Sequence, residues 1–147
     1  MDTVMTELGR GLELARAGER ARARETLTTL WDTVGEHGDA LHRCSIAHHL
    51  ADLQDDVHDE LRWDERALAA VADLDDARAR AHDASLRVRA FLPSLHLNLA
   101  DGYLRAGQAG RARQHADATE AHLSELPDDD YGTMIRSALA RIRSSLG

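Results

Sequence analysis

Along this chain apolar residues recur three and four positions apart, and over no useful length do they recur two apart. The pattern is cut only where glycine, proline or an acidic pair intervenes. A period near 3.6 lines one side of a helix, whereas a half-buried strand needs a period of two. The last segment shows it most cleanly, with Tyr131, Met134, Ile135, Ala138, Leu139, Ile142 and Leu146 on one stripe. Composition agrees. Alanine, leucine and arginine abound and only five residues are aromatic, which favours helices over sheets. The expected class is all-α.

The breaks divide the chain into about seven helices. The first spans Asp2 to Ala17 and stops at Gly18, and the second runs from Glu19 to Val34 and ends in the GEHG of Gly35 to Gly38. Asp39 is a good N-cap for a third helix reaching Gln54, and Asp55-Asp56 caps a fourth that extends to Ala72. A long segment from Asp75-Asp76 to Ala106 contains Pro93, which either kinks one helix or separates two. A sixth helix covers Gln108 to Leu126, before Pro127. Asp128 to Asp130 then place negative charge at the start of the last helix, where it suits the macrodipole. Gly9 and Gly11 within the first helix are expected to allow close packing, at a cost of up to about 1 kcal/mol each. At 147 residues the whole chain, 1–147, is expected to be one domain.

Charge and cysteine content exclude several functions. The net charge is −8, and an acidic surface is repelled by phosphate backbones and anionic lipid, so neither nucleic acid nor membrane is an expected partner. The longest apolar run, Ala67 to Ala72, is far short of the ~20 residues a membrane helix needs. The N-terminus lacks the basic and apolar regions of a signal peptide. A single cysteine, Cys44, fits a reducing compartment, and its apolar surroundings mark it as buried and inert. The expected location is cytoplasmic. All 18 basic residues are arginine, a usage that looks like a GC-rich coding bias, as in actinobacteria.

The segment from His96 to Pro127, HLNLADGYLRAGQAGRARQHADATEAHLSELP, carries a recognisable motif. Leu99, Ala100 and Tyr103 sit at the leucine, small and tyrosine positions of a first helix, Gly107 at the turn, and Ala112 at the small position of a second. The segment thereby resembles a divergent tetratricopeptide repeat, whose pattern of about 34 residues runs W-x2-L-G-x2-Y, A-x3-F, P. His96 replaces the tryptophan, Ala116 replaces the phenylalanine, and Pro127 falls three residues late. Two weaker copies lie upstream. One has Gly18 at its turn, followed by Ala23, Leu27 and Leu30. The other repeats Leu-Ala-Asp at Leu50-Ala51-Asp52 and has a turn three residues short. About five extra helical turns, Val71 to Pro93, separate the second and third units. The resemblance implies antiparallel helical hairpins stacked as a right-handed α-solenoid with a C-terminal capping helix, in which first helices line a concave groove.

Two of those first helices carry narrow polar stripes. On the third helix, Leu41, Cys44, Ala47 and Ala51 cover one side and Ile46, Leu50 and Leu53 another, leaving His42, Ser45, His49 and Asp52 between them. On the segment after Pro93, Leu95, Leu99, Tyr103 and Ala106 pack one side and Leu97 and Leu104 another, leaving Ser94, Asn98, Asp101 and Arg105. Through a continuous helix, Arg80, Asp83 and Arg87 would extend that second stripe. His42, Ser45, His49, Asp52, Asn98, Asp101 and Arg105 are therefore the candidate ligand-binding residues, and the resemblance implies that the stripes meet in the groove.

The motif S-I-A-H-H-L-A-D, Ser45 to Asp52, invites a metal reading because His49 and Asp52 are one turn apart. HExxH, H-x-x-x-H and Glu-x-x-His are all absent, however, and Asp39 and Asp55 are explained as caps. No metal or cofactor is expected. Gly107 to Gly110 follow a helix and lack a P-loop lysine, so they give no phosphate loop. His48 and His96 read as core histidines and His82, His115 and His122 as solvated ones. The expectation is a stand-alone module, beginning at its own methionine, that binds a protein or peptide, with Arg105 pairing a carboxylate of the ligand. The alternative is a small-molecule or catalytic site in the same groove, closed at one end by the turns before Pro93, with His49 as general base oriented by Asp52. A homo-oligomeric structural domain is the third class.

Overall fold

The structure is a computed structural model that describes residues 2–73 and 84–147, the side chains of residues 84–91 and of Glu125 excepted. The described residues form seven α-helices and no strand: α1 (Thr3–Arg16), α2 (Arg20–Val34), α3 (Ala40–Asp52), α4 (Val57–Ala72), α5 (Ala84–Arg105), α6 (Ala109–Ala121) and α7 (Asp130–Leu146), with a 3-10 turn at Leu123–Glu125. Four of them start at a capping aspartate, whereas α2 and α6 follow Glu19 and Gln108 with no side-chain cap. Asp2 accepts from the amides of Val4 and Met5, Asp39 from those of Leu41 and His42, Asp56 from that of His58 and Asp129 from that of Gly132.

Pro93 does not divide its segment. α5 is continuous from Ala84 to Arg105, with Pro93 inside it and fully buried. Asp75, Asp76, Arg80, His82 and Asp83 lie outside the described residues, as does the side chain of Arg87.

Packing is most extensive within three hairpins of consecutive helices, α1 with α2, α3 with α4, and α5 with α6. The first and third turn in the same way. Gly18 and Gly107 adopt φ of 83° and 78°, a left-handed backbone that favours glycine. The following amides, of Glu19 and Gln108, reach back to Leu14 and Tyr103 carbonyls at 2.9 and 2.8 Å. The middle hairpin turns without glycine, and α4 begins three residues sooner after Leu50 than α6 does after Leu99.

Each hairpin shares its core with the next helix. Leu8, Leu27, Leu30, Ile46 and Leu50 join α1 and α2 to α3, and Cys44, Ala47, Ala67, Ala70 and Leu95 join α3 and α4 to α5. Leu61, Leu99, Tyr103 and Ala112 link α4, α5 and α6. Ile135, Leu139 and Ile142 of α7 then cover Leu97, Ala100 and Ala116 of the third hairpin. Ala23, Ala47, Ala67, Ala70, Ala100, Ala112 and Ala116 are all completely buried, so much of the interhelical contact is methyl against methyl. The two glycines of α1 differ. A Cβ at Gly11 would lie 2.5 Å from Leu27 Cδ2, whereas one at Gly9 would meet nothing within 4 Å.

Candidate functional site

On α3, Asp39 caps the helix and so places His42 in its first turn, where His42 Nε2 lies 2.8 Å from Asp2 Oδ2. Asp2 is also the N-cap of α1, so this contact ties the starts of the two helices together. Ser45 is buried at 5% exposure. His49 is half-buried, and burial, reinforced by the neighbouring His48, pushes its pKa down to about 4. Asp52 is exposed, and the desolvation that raises its carboxyl pKa is opposed by His49 and Arg20.

On α5, the Ser94 hydroxyl lies 2.5 Å from that of Tyr131, against α7. Asn98 and Asp101 line a cleft of about 320 Å³ between α5 and α7, with Leu97, Leu104, Ala138, Arg141, Ile142 and Ser145. Arg105 turns the other way. Its guanidinium is held by Asp101 at 2.9 Å and by Glu60 of α4 at 2.6 Å. The expected pairing of Arg105 with a ligand carboxylate thus meets two carboxylates of its own chain already in place.

The two stripes come into electrostatic range through α4, at Asp64. This carboxyl is 1% exposed, and its Oδ1 has no hydrogen-bond partner. Burial raises its pKa to about 8, with further upward pressure from Asp52, Glu60 and Glu65 against a downward one from Arg105. Asp52 of α3 and Arg105 of α5 therefore both act on one buried acid. Among the described residues, no hydrogen bond or ion pair joins a stripe residue of α3 to one of α5. Asp64 was legible as an anomaly, since it stands three residues after Leu61 and three before Ala67, in the middle of an apolar stripe.

A second constellation joins α4, α5 and α6. The rings of His96 and His115 stack with centroids 5.3 Å apart and facing Nδ1 atoms 3.1 Å apart, and His122 stacks on His96 at 6.1 Å. Tyr103 stacks on His115 at 5.5 Å and donates its hydroxyl proton to Glu65 Oε1 at 2.8 Å. Burial, together with His115 and His122, pushes His96 down to about 4, and burial also lowers His115. Burial thus disfavours the charged form of His96 and of His115, which suits their stacking. His115 and His122 are half-buried rather than solvated, because α6 and its C-cap lay them against His96 of α5. Their sequence spacing carries no sign of this, since the cluster forms only across helices. Among the described residues no three His, Cys, Asp or Glu side chains converge as a metal site would require.

Cys44 is fully buried, and burial pushes its thiol up to about 12. No helix among the described residues is long and apolar enough to cross a membrane. No protein-family model, no curated protein and no solved structure matches the chain.

Proposed function

We propose that this chain is a cytoplasmic helical-repeat module of tetratricopeptide-like type that binds a protein or peptide partner. Three consecutive hairpins, two with the same glycine turn, support the repeat reading, as does the contact of α3 with both α1 and α5 and of α5 with α7. In this reading the four odd-numbered helices form the inner face of a short right-handed stack, and α7 caps it.

One observation carries the peptide reading, the α5–α7 cleft. Asn98 offers one carboxamide donor group and one acceptor, the complement of a peptide unit. Leu97, Leu104, Ala138 and Ile142 beside it provide apolar walls. At about 320 Å³ the cleft is at the low end for a site that engulfs a small molecule, and its size suits one or two side chains of a longer segment. Self-association has less to support it: among the described residues only Met5 and Met134 are large apolar side chains left exposed. The catalytic alternative likewise has less to support it, since an imidazole with pKa about 4 is a weak proton acceptor near neutral pH.

The test compares wild type with an Asn98→Ala, Asp101→Ala variant in quantitative pull-downs from source lysate. A photo-crosslinker at Ser145 reports on the cleft itself, and circular dichroism verifies folding. A partner held by wild type, lost by the variant and crosslinked at Ser145 is the expected result. Equal capture by both proteins refutes the proposal.

A further inference from the structure

In a chain with 26 acidic residues and 18 arginines, carboxylates are never scarce. Arginines elsewhere on the surface close on them, as Arg22 does on Glu19, Arg43 on Asp73, and Arg143 on Asp117 and Glu120. Arg113 and Arg136 donate instead to the Leu146 and Leu123 carbonyls, Arg141 lines the α5–α7 cleft, and Arg66 of α4 and Arg111 of α6 likewise close on no carboxylate. Among the described residues neither has a carboxylate within ion-pair distance, and both line one cleft of about 650 Å³ between α4 and α6.

Both guanidinium groups are held in place by aromatic faces instead. Arg66 lies 4.4 Å from the ring centroid of Trp63 and 5.9 Å from that of Trp31, and the two indoles are themselves edge-to-face at 5.1 Å. Arg111 lies 5.6 Å from the ring of Tyr103, which is fixed by Glu65 and by stacking on His115. Stacked in this way, an arginine keeps its planar edge of N–H donors free for an oxyanion, and little side-chain freedom is left to lose on binding. The histidine cluster thereby acquires a use: it is the floor that fixes Tyr103.

We infer that the α4–α6 cleft is a binding site for a small phosphate monoester, with Arg66 and Arg111 gripping the phosphate and Glu65 receiving a neighbouring ammonium or hydroxyl group. Arg62, one turn before Arg66, lines the same cleft, although Asp59 already pairs with it at 2.9 Å. With Arg62 neutralised by Asp59, Arg66 and Arg111 against Glu65 leave an excess of about one positive charge but two planar forks of N–H donors, which suit the three terminal oxygens of a phosphate better than the two of a carboxylate. The site is independent of the α5–α7 cleft and of what binds there. An open, solvent-washed cleft of this kind gives modest affinity, a Kd of about 0.1–1 mM.

The probe is O-phospho-L-serine, titrated into the full chain at constant ionic strength. Trp31 and Trp63 are the only tryptophans, and both touch Arg66, so their fluorescence reports directly on the site. Phosphorus NMR line broadening of the probe serves for variants in which the tryptophan signal itself changes. The expected result is saturable binding that weakens at least about tenfold in Arg66→Gln, Arg111→Gln, with an unchanged circular-dichroism melt. L-malate, which offers carboxylates and a hydroxyl but no phosphate, should bind more weakly than the probe. The inference is overturned by absence of saturation, by equal affinity in the double variant, or by malate binding as tightly as phosphoserine.

Discussion

Replacing Asp64 by asparagine should stabilise the protein, and the gain should depend on pH in a way that identifies its cause. In the folded state the carboxyl holds its proton up to about pH 8, against an ordinary value of 3.8. The unfolded chain releases that proton above about pH 4, so the folded state binds more protons than the unfolded one between the two values. Stability therefore falls as pH rises from about 4 to about 8 and levels off above that. Each unit of separation is worth about 1.4 kcal/mol, which gives a burden on the order of 4 kcal/mol at pH 7 and on the order of 1.5 kcal/mol at pH 5. Asparagine has the same shape and no charge to lose. Its amide leaves its own donors in need of partners, at a cost of about 1–3 kcal/mol that does not vary with pH. Histidines whose pKa values are lowered contribute the opposite slope on the acid side, but equally in both proteins, so the difference isolates Asp64. Urea unfolding followed by circular dichroism at pH 5, 6, 7 and 8 should show Asp64→Asn gaining on wild type by about 2–3 kcal/mol between pH 5 and 7. A gap that is constant with pH, or that narrows as pH rises, would refute the assignment of a buried, protonated carboxyl.

Four further substitutions and one labelling experiment probe the backbone and the core. Gly11→Ala drives a methyl group into Leu27 and should cost about 1–3 kcal/mol, whereas Gly9→Ala two residues earlier meets open space and should gain up to about 1 kcal/mol, both read from thermal melts. Gly107→Ala must hold a side chain at φ of 78° and should lower stability by about 1–2 kcal/mol, and Gly18→Ala should match it because the two turns have the same hydrogen bonds. Native Cys44, with its pKa pushed up to about 12, should resist a thiol reagent at pH 8 until urea unfolds the chain; prompt labelling of the native protein would show that the third helix is not buried as described.

Most helix limits were legible because they depend on local signals, although the sixth helix, expected to reach Leu126, stops at Ala121 and is followed by a 3-10 turn. Asp39, Asp56 and Asp129 cap where acidic residues precede apolar periodicity, and Gly18 and Gly107 turn where a helical pattern stops. The course of the chain at Pro93 was not legible, since proline removes a hydrogen bond in either arrangement and only burial of its ring accompanies the continuous one. The polar stripes were visible as stripes, but what lies opposite them depends on packing. His42 meets Asp2, forty residues away, and Arg105 meets Glu60, forty-five away. The arginine pair and the histidine stack were invisible for the same reason. Arg66 and Arg111 share nothing in sequence except their residue type, and each owes its position to an aromatic ring.

The alanines of the core have a geometric consequence beyond stability. Helices that touch through methyl groups can approach toward the short end of the about 8–10 Å range of axial separation. A valine in place of Ala70 or Ala116 would wedge its pair apart at one level only, and so tilt one hairpin against the next. Because each hairpin shares its core with the next helix, such a tilt is passed on to the helix packed against it. Both clefts lie between helices packed in this way, one between α5 and α7 and the other between α4 and α6. The widths of the two clefts thus depend on residues that line neither of them, and a single substitution deep in the core can retune them.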